Sequence, residues 1–238
     1  MNPTLIITKR ELGSFFDSLV AYIVLVIFLG FSGFFTWFYG ADVFIRKQAD
    51  LAVFFSVGRW TLFFFIPAIT MRMFAEEKRS GTIELLLTKA VSSRQVVLGK
   101  FLACLGMVAI ALAFTLPYYF SISRLGEVDH GVIWSGYFGL LLMSAVYIAI
   151  GLWTSSITNN QIVAFLLALF IGIFFHLLFD FMAAGSSGFL GELFSSLSMS
   201  QHVDSITRGV LDSKDLVYFL SLTGLGLLLT ELNISKKG

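Results

Sequence analysis

Long runs without a charged residue constrain this chain more than any other feature of its sequence. Residues 18–41 contain no Asp, Glu, Lys or Arg over 24 positions, and residues 101–123 contain none over 23. Residues 130–179 extend the pattern to 50 positions. A helix that crosses the hydrocarbon core of a bilayer needs about 20 mostly apolar residues, so these runs predict membrane spans.

The composition excludes the other common classes of protein. Of the 238 residues, 57% are hydrophobic and 13% are charged, and the mean hydropathy is +0.88. A soluble domain carries about 25% charged residues, so this chain could not cover its own surface in water. The 16 Lys and Arg against 15 Asp and Glu leave no basic excess for nucleic acid. The single cysteine, Cys104, excludes a disulfide scaffold or a cysteine metal cluster.

We therefore predict one all-α transmembrane domain over residues 1–238, with six spans. The polar cluster 154–160 divides the longest run into two helices. The first apolar run is too long for the core of a signal peptide, so we expect it to be retained. Pro67 and Pro117 should kink their helices. The predicted spans cover about 18–40, 53–74, 99–122, 132–154, 161–183 and 215–232.

The distribution of basic residues predicts the orientation. With the N-terminus inside, ten Lys and Arg lie in the inner segments and five in the outer ones, while Arg59 lies within a span. Positive charge favours the cytoplasmic side. Both termini are accordingly predicted to be cytoplasmic, which agrees with an even number of crossings.

Two segments beside the spans have helical apolar spacing. Over residues 3–17 an apolar stripe predicts an interfacial helix lying in the inner headgroup layer, although a frayed start of the first span explains it too. The outer segment 184–214 is too long for a turn, and its spacing predicts an amphipathic helix on the outer rim. The stripes consist of Leu5, Leu12, Phe15, Phe16 and Leu19, and of Phe189, Leu190, Leu193, Phe194 and Leu197.

Residues 72–100 form the longest predicted cytoplasmic segment. Ser80-Gly81 should end a helix, and Thr82 should cap a short helix over 83–87. Ser92-x-x-Gln95 has the form of a capping box and starts the helix of the third span. The segment thus predicts a helical hairpin at the membrane surface with exposed leucines. These leucines indicate either a docking partner or burial, in the lipid interface or under the bundle, and the pattern leaves both open.

Three polar residues within the spans are candidates for chemistry. His176 and Asp180 have the i, i+4 spacing of a proton relay, but an interhelical hydrogen bond is the favoured interpretation. Arg59 could bind an anionic substrate or pair with an acid such as Asp180, although extension to the outer headgroups is favoured. The sequence has no phosphate-binding loop, no metal-ligand pair and no nucleophile with a base.

The segment between the second and third spans resembles the ABC-2 type transporter permeases. Residues 77–87 read EKRSGTIELLL, and they are followed by Val91-Ser92-Ser93 and Leu98-Gly99-Lys100. The stretch 197–221, with His202, Arg208-Gly209 and Asp215, resembles the subgroup linked to gliding motility in Bacteroidetes. One departure is Ala90, where family members usually have Pro.

The resemblance implies a multi-pass permease of the bacterial inner membrane with no catalysis of its own. ATP and Mg²⁺ would bind to a cytoplasmic ABC ATPase dimer, and the chain would pair with a second membrane subunit, either identical or a different one with a large periplasmic domain. The cargo would be exported in support of gliding motility. The residues that the resemblance assigns to ATPase coupling are Glu76, Glu77, Arg79, Gly81, Thr82, Glu84 and Leu87.

Two alternatives remain open on the sequence. A membrane anchor or scaffold for a motility or secretion complex would dock a partner through residues 72–100 without transporting anything. An intramembrane enzyme would need His176 and Asp180 to react, but the sequence supplies no converging nucleophile or metal set.

Overall fold

The computed structural model describes residues 2–39, 48–82 and 91–236, and within these ranges all regular structure is helical. The apolar runs form long helices because a helix satisfies every backbone group within its own segment. A short π-helical turn, Phe174–Leu178, lies between the helices Gln161–Ile173 and Phe179–Gly185. The helices are α1 (Pro3–Asp17), α2 (Leu19–Trp37), α3 (Ala52–Thr70), α4 (Arg72–Arg79), α5 (Ser93–Ala113), α6 (Leu116–Leu125), α7 (His130–Ile157), α8 (Gln161–Ile173), α9 (Phe179–Gly185), α10 (Phe189–Leu197), α11 (Met199–Thr207) and α12 (Ser213–Ser235).

Among the residues that the structure describes, five segments are long and apolar enough to cross a membrane, or six if a bent pair of helices counts as one span. Five qualify alone, namely Ala52–Arg79, Ser93–Leu125, His130–Ile157, Gln161–Gly185 and Ser213–Ser235. The first predicted span, α2, qualifies only together with α1, from which it is bent by 74°. The prediction of a multi-span helical protein is confirmed. Four of the five helical segments extend beyond both of their predicted ends, whereas α2 ends at Trp37, before its predicted end.

The helix α7 forms the centre of the bundle. It is the most buried of the five spans, with 72% of its apolar window inside the structure, and α3, α5, α8, α11 and α12 pack around it. Small residues allow this packing: a Cβ built on Gly151 would lie 2.0 Å from Thr70 Oγ1, and one on Gly226 would lie 2.9 Å from Ala149 Cβ. Close approach at small residues is how helices gain packing contacts inside a membrane.

The helix of the second span is interrupted between α3 and α4, and a side chain of α7 hydrogen-bonds to the backbone groups at the interruption. Pro67 lies inside α3, which ends at Thr70, and α4 starts after Met71. The Ser155 hydroxyl donates a hydrogen bond to the Met71 carbonyl at 2.8 Å and accepts from the backbone N–H groups of Phe74 and Ala75 at 3.0 Å each. The third span is likewise broken, at the residues before Pro117.

The two ends of the described chain lie at the same end of the bundle, called here the termini end. There Asn233 donates hydrogen bonds to the Ser156 carbonyl and hydroxyl, and α1 packs on the start of α5. The predicted stripe of α1 is divided, since Phe15 is buried while Leu5 and Leu19 stay exposed. Ile7, which the stripe omitted, is buried against α5.

The opposite end, called here the far end, carries the segment between α9 and α12. A helix covers the predicted stripe, α10, with Phe189, Leu190 and Leu193 exposed, and its position on an outer rim stays a prediction. A second helix, α11, was not predicted. It buries Met199, Val203 and Ile206, and Ile206 packs against Gly139 of α7.

Candidate coupling site

The segment 72–82 leaves the bundle at the termini end as the short helix α4. Ser80 caps the helix, its N–H donating to the Glu76 carbonyl at 2.9 Å, and Gly81 follows with φ of 70°. Positive φ costs little only for glycine, so the predicted break at Ser80-Gly81 is confirmed and has a backbone cause. Lys78 and Arg79 lie in the last turn, where the helix dipole favours positive charge.

The predicted coupling residues divide into two groups by exposure. Glu76, Arg79, Gly81 and Thr82 are exposed, and the Ser80 and Thr82 hydroxyl groups are hydrogen-bonded at 2.9 Å. Glu77 is only partly exposed because its side chain turns back towards α5. Glu84 and Leu87 lie outside the described residues, as does the first helix of the predicted hairpin. Assignment of all these residues to coupling stays a prediction.

Glu77 turns inward to pair with a buried lysine. Lys100 is 1% exposed, and its Nζ lies 2.7 Å from Glu77 Oε1 and 3.3 Å from Glu11 Oε1. The ammonium also lies 5.2 Å from the centre of the Phe74 ring. Moving an ammonium out of water costs several kcal/mol unless it is paired, and here two carboxylates from two other helices compensate it. The triad Glu11–Lys100–Glu77 therefore joins α1, α5 and α4.

The triad depends on a close contact between α1 and α5. A Cβ built on Gly99 would lie 2.6 Å from Ile7 Cγ2 and 3.2 Å from the Thr4 carbonyl oxygen. The Thr8 hydroxyl donates to the Gly99 carbonyl at 3.2 Å. The absence of a side chain at residue 99 lets α1 pack closely on α5, which brings Glu11 to Lys100.

A cleft of about 500 Å³ opens beside the triad, between α1, α4 and the start of α5. Its wall carries Glu76 and Glu77 together with the guanidinium groups of Arg10 and Arg72. Arg72 donates to the Ser18 hydroxyl at 3.3 Å and lies 5.3 Å from the centre of the Phe15 ring. The cleft thus presents charges of both signs at the surface of the termini end.

The start of the third span follows the sequence prediction. Ser92 Oγ accepts from the Gln95 N–H at 3.3 Å, and Gln95 Oε1 accepts from the Ser92 N–H at 3.1 Å. Both bonds of the capping box are present, so the prediction is confirmed. The cap fixes the first turn of α5, two turns before Lys100.

The structure gives His176 and Asp180 separate partners. His176 Nδ1 is 3.0 Å from the Tyr147 hydroxyl, and the residue lies in the π-helical turn. Asp180 accepts from Ser198 at 3.4 Å and from Gln201 at 3.3 Å. The i, i+4 pair is thus wrong, because the π-turn changes the helical register between the two residues. The favoured interpretation, an interhelical hydrogen bond, is confirmed for His176.

The structure also changes the interpretation of Arg59. Its Nη1 lies 2.5 Å from Asp204 Oδ1, and its side chain is 17% exposed. Pairing with an acid is therefore right in kind, but the partner is Asp204 rather than Asp180. The favoured extension to the headgroups stays a prediction. Asp204 was missed because it lies on α11, the helix that the sequence did not predict.

Sequence reasoning missed two residues of the coupling site. Glu11 was not singled out, and Lys100 was named only in the resemblance. The available signal was a lysine directly before 23 uncharged positions, which needs a counter-charge if it is buried. Within the described residues, no group of three His, Cys, Asp or Glu side chains is placed to hold a metal ion.

The helices and the charged segment at the termini end define a class: a multi-pass membrane protein with a short surface helix anchored to its core. Comparison with known families narrows this class of membrane protein to one family. The family described as ABC-2 family transporter protein matches residues 48–215. The chain belongs to this family, and it is a permease-type membrane protein that works with an ABC ATPase. No curated protein matches the chain.

Proposed function

We propose that this chain is the membrane permease subunit of an ATP-driven ABC-2 exporter in the bacterial inner membrane. ATP and Mg²⁺ bind to a separate cytoplasmic ATPase dimer, which contacts the termini end. The observation that carries the proposal is the position of α4. Its exposed residues Glu76 and Arg79 can meet a partner, while its buried residues are fixed to α5 and α7.

The contacts of α4 suggest how movement of the ATPase reaches the bundle. The Glu77–Lys100 ion pair links α4 to α5, and the Ser155 hydroxyl links its first turn to α7. A force on α4 therefore acts on both helices rather than on a free loop. Because packed helices change between discrete arrangements, a displaced α4 favours a different packing of the spans.

The exposure pattern supports separate roles for two neighbouring glutamates. Glu76 points to the surface and is assigned to the contact with the ATPase. Glu77 is turned towards Lys100 and is assigned to transmission within the permease. Glu84 and Leu87 remain part of the proposed ATPase contact on the basis of the resemblance. Arg79 and Thr82 complete the exposed surface of the described part.

The cargo and the second membrane subunit are proposed from the resemblance. The stretch with His202, Arg208 and Asp215 resembles permeases linked to gliding motility, so we infer a cargo that serves surface movement. In the structure His202 Nδ1 is 2.6 Å from Asp215 Oδ1, so these residues join α11 to α12. Pairing with an identical or a different membrane subunit completes the proposed transporter.

The proposal is tested by isolating the complex from native membranes and measuring ATP turnover of the reconstituted proteins. Glu76→Lys and Arg79→Glu should weaken binding of the ATPase by about tenfold, as expected for interfacial charge pairs. Glu127→Lys, an exposed reversal at the far end, is the control and should bind normally. Unchanged binding in both termini-end variants would contradict the proposed contact.

The same preparation distinguishes a transporter from a scaffold. A transporter should alter the ATP turnover of its partner when it is present in the bilayer, and Glu77→Gln should weaken this effect while the ATPase still binds. A scaffold would bind its partner and leave ATP turnover unchanged.

A further inference from the structure

Two neighbouring depressions occur at the far end of the bundle, away from the coupling site. One is an apolar groove of about 390 Å³ between α2 and α3. The other is a polar pocket of about 220 Å³ between α3 and α11, lined by Arg59, Asp204 and Arg208. Ser56, which is exposed, lines both of them. The apolar side chains of the groove include Ile27, Phe31, Phe35, Trp60, Phe64 and Phe65.

The polar pocket carries a net positive charge. Arg59 pairs with Asp204, and Arg208 donates from Nε to the Asp204 main-chain carbonyl at 3.0 Å. The lining of the pocket thus contains two guanidinium groups and one carboxylate. Arg59 Nε is buried and hydrogen-bonds to none of the described residues. A buried donor of this kind is costly unless a ligand accepts from it.

The groove extends from the pocket along the span. Ser56 and Phe65 are nine residues apart on α3, which corresponds to about 13 Å at 1.5 Å per residue. Trp60 lies between them and is 39% exposed. An aromatic side chain of this type is typical of the boundary between headgroups and hydrocarbon. The positively charged pocket therefore lies near the end of the span, and the apolar groove continues from it towards the middle of the span.

We propose that the pocket and groove together bind one anionic phospholipid from the bilayer leaflet at the far end. The headgroup phosphate accepts hydrogen bonds from Arg59 Nε and from Arg208, because guanidinium groups bind phosphate oxygens well. One acyl chain lies along Phe31 and Phe64. Charge complementarity selects the anionic headgroup, and the groove selects a lipid over a soluble anion. This site does not depend on contact with an ATPase.

The experiment uses the full chain in vesicles of equal phosphatidylglycerol and phosphatidylcholine. After extraction, native mass spectrometry measures the ratio of the two lipids retained by the protein. The wild type should favour phosphatidylglycerol, and Arg208→Gln should lower that preference by about fivefold. Arg124→Gln removes an exposed charge at the same end, outside both depressions, and should leave the ratio unchanged.

A second variant tests the groove. Ser56→Trp fills the point shared by the two depressions and should lower lipid retention, whereas Ser121→Trp, at an exposed serine of α6, should not. Equal ratios in wild type and Arg208→Gln, or normal retention in Ser56→Trp, would overturn the proposal. It would also be overturned if inorganic phosphate alone raised the melting temperature as much as phosphatidylglycerol, since the pocket would then bind a free anion.

Discussion

At the scale of single residues, Lys100 is held by partners from two other helices. Its ammonium is 1% exposed between Glu77 and Glu11, and Glu77 Oε2 is itself buried without a hydrogen bond from the described residues. A buried ion pair adds little net stability over apolar side chains, but removal of one partner leaves an uncompensated charge. The triad is therefore sensitive to any change that unbalances it.

The substitution Lys100→Met tests this balance. It should lower the free energy of unfolding by about 3 kcal/mol, because the partly buried Glu77 loses its counter-charge, whereas Glu11 keeps its ion pair with Arg10. Thermal unfolding in detergent measures the effect. The double variant Lys100→Met/Glu77→Gln should recover part of the loss.

Arg94→Met is the matched control on the same helix. Arg94 Nε lies 4.0 Å from Glu231, and its side chain is 71% exposed. An exposed pair of this kind contributes less than about 1 kcal/mol, so the control should unfold almost as the wild type does. Equal effects of Lys100→Met and Arg94→Met would show that the triad has no special role.

At the scale of elements, the break between α3 and α4 is held by one side chain of α7. Ser155 satisfies three backbone groups that the interrupted second span leaves open. Backbone groups at helix ends need such partners, above all inside a membrane. The hydroxyl thus fixes the direction in which the proposed coupling helix leaves the bundle.

Ser155→Ala should lower the free energy of unfolding by about 2 kcal/mol, since the buried N–H groups of Phe74 and Ala75 lose their acceptor. Ser144→Ala is the control because Ser144 is also buried on α7 but donates only to the Leu140 carbonyl of its own helix. Melting temperatures of the two variants give the comparison. A loss in Ser144→Ala as large as that in Ser155→Ala would contradict the proposed bridge.

The contact of α1 with α5 gives a second prediction at this scale. Gly99→Ala should detach α1 partly, because its Cβ would meet Ile7, and protease cleavage within residues 3–17 should accelerate. Gly106→Ala is the control on the same two helices, where the nearest atom, a Leu12 methyl, is 3.8 Å away. Faster cleavage in Gly106→Ala as well would argue against a specific contact at Gly99.

At the scale of the whole molecule, the spans are organised around α7, and α12 packs on it at Gly226. Gly226→Leu should lower the free energy of unfolding by at least about 2 kcal/mol, because a Cβ there meets Ala149, including its backbone. Gly224→Leu adds the same side chain two residues away, where nothing lies within 4 Å. Similar melting temperatures for the two variants would contradict the central position of α7.

The local predictions at the coupling site depended on short-range chemistry. The helix break at Ser80-Gly81 and the capping box at Ser92 and Gln95 were predicted because each is set by residues within one turn. The partners of Glu77 and Arg59 could not be predicted in the same way. Lys100 and Asp204 lie 23 and 145 positions away, and their proximity depends on how helices pack.

The sequence by itself determined that the chain crosses a membrane several times as helices, since charge-free runs of this length have no other stable environment. It also determined where the surface helix ends and the third span begins. Only the tertiary structure decided which charges meet, because every outward face of a membrane helix is apolar and hydropathy does not distinguish one neighbour from another. The ion pairs of Lys100 and the hydrogen bonds of Ser155 to the interrupted second span follow from close contacts between helices, and so does the position of α11. Residue patterns do not encode these contacts.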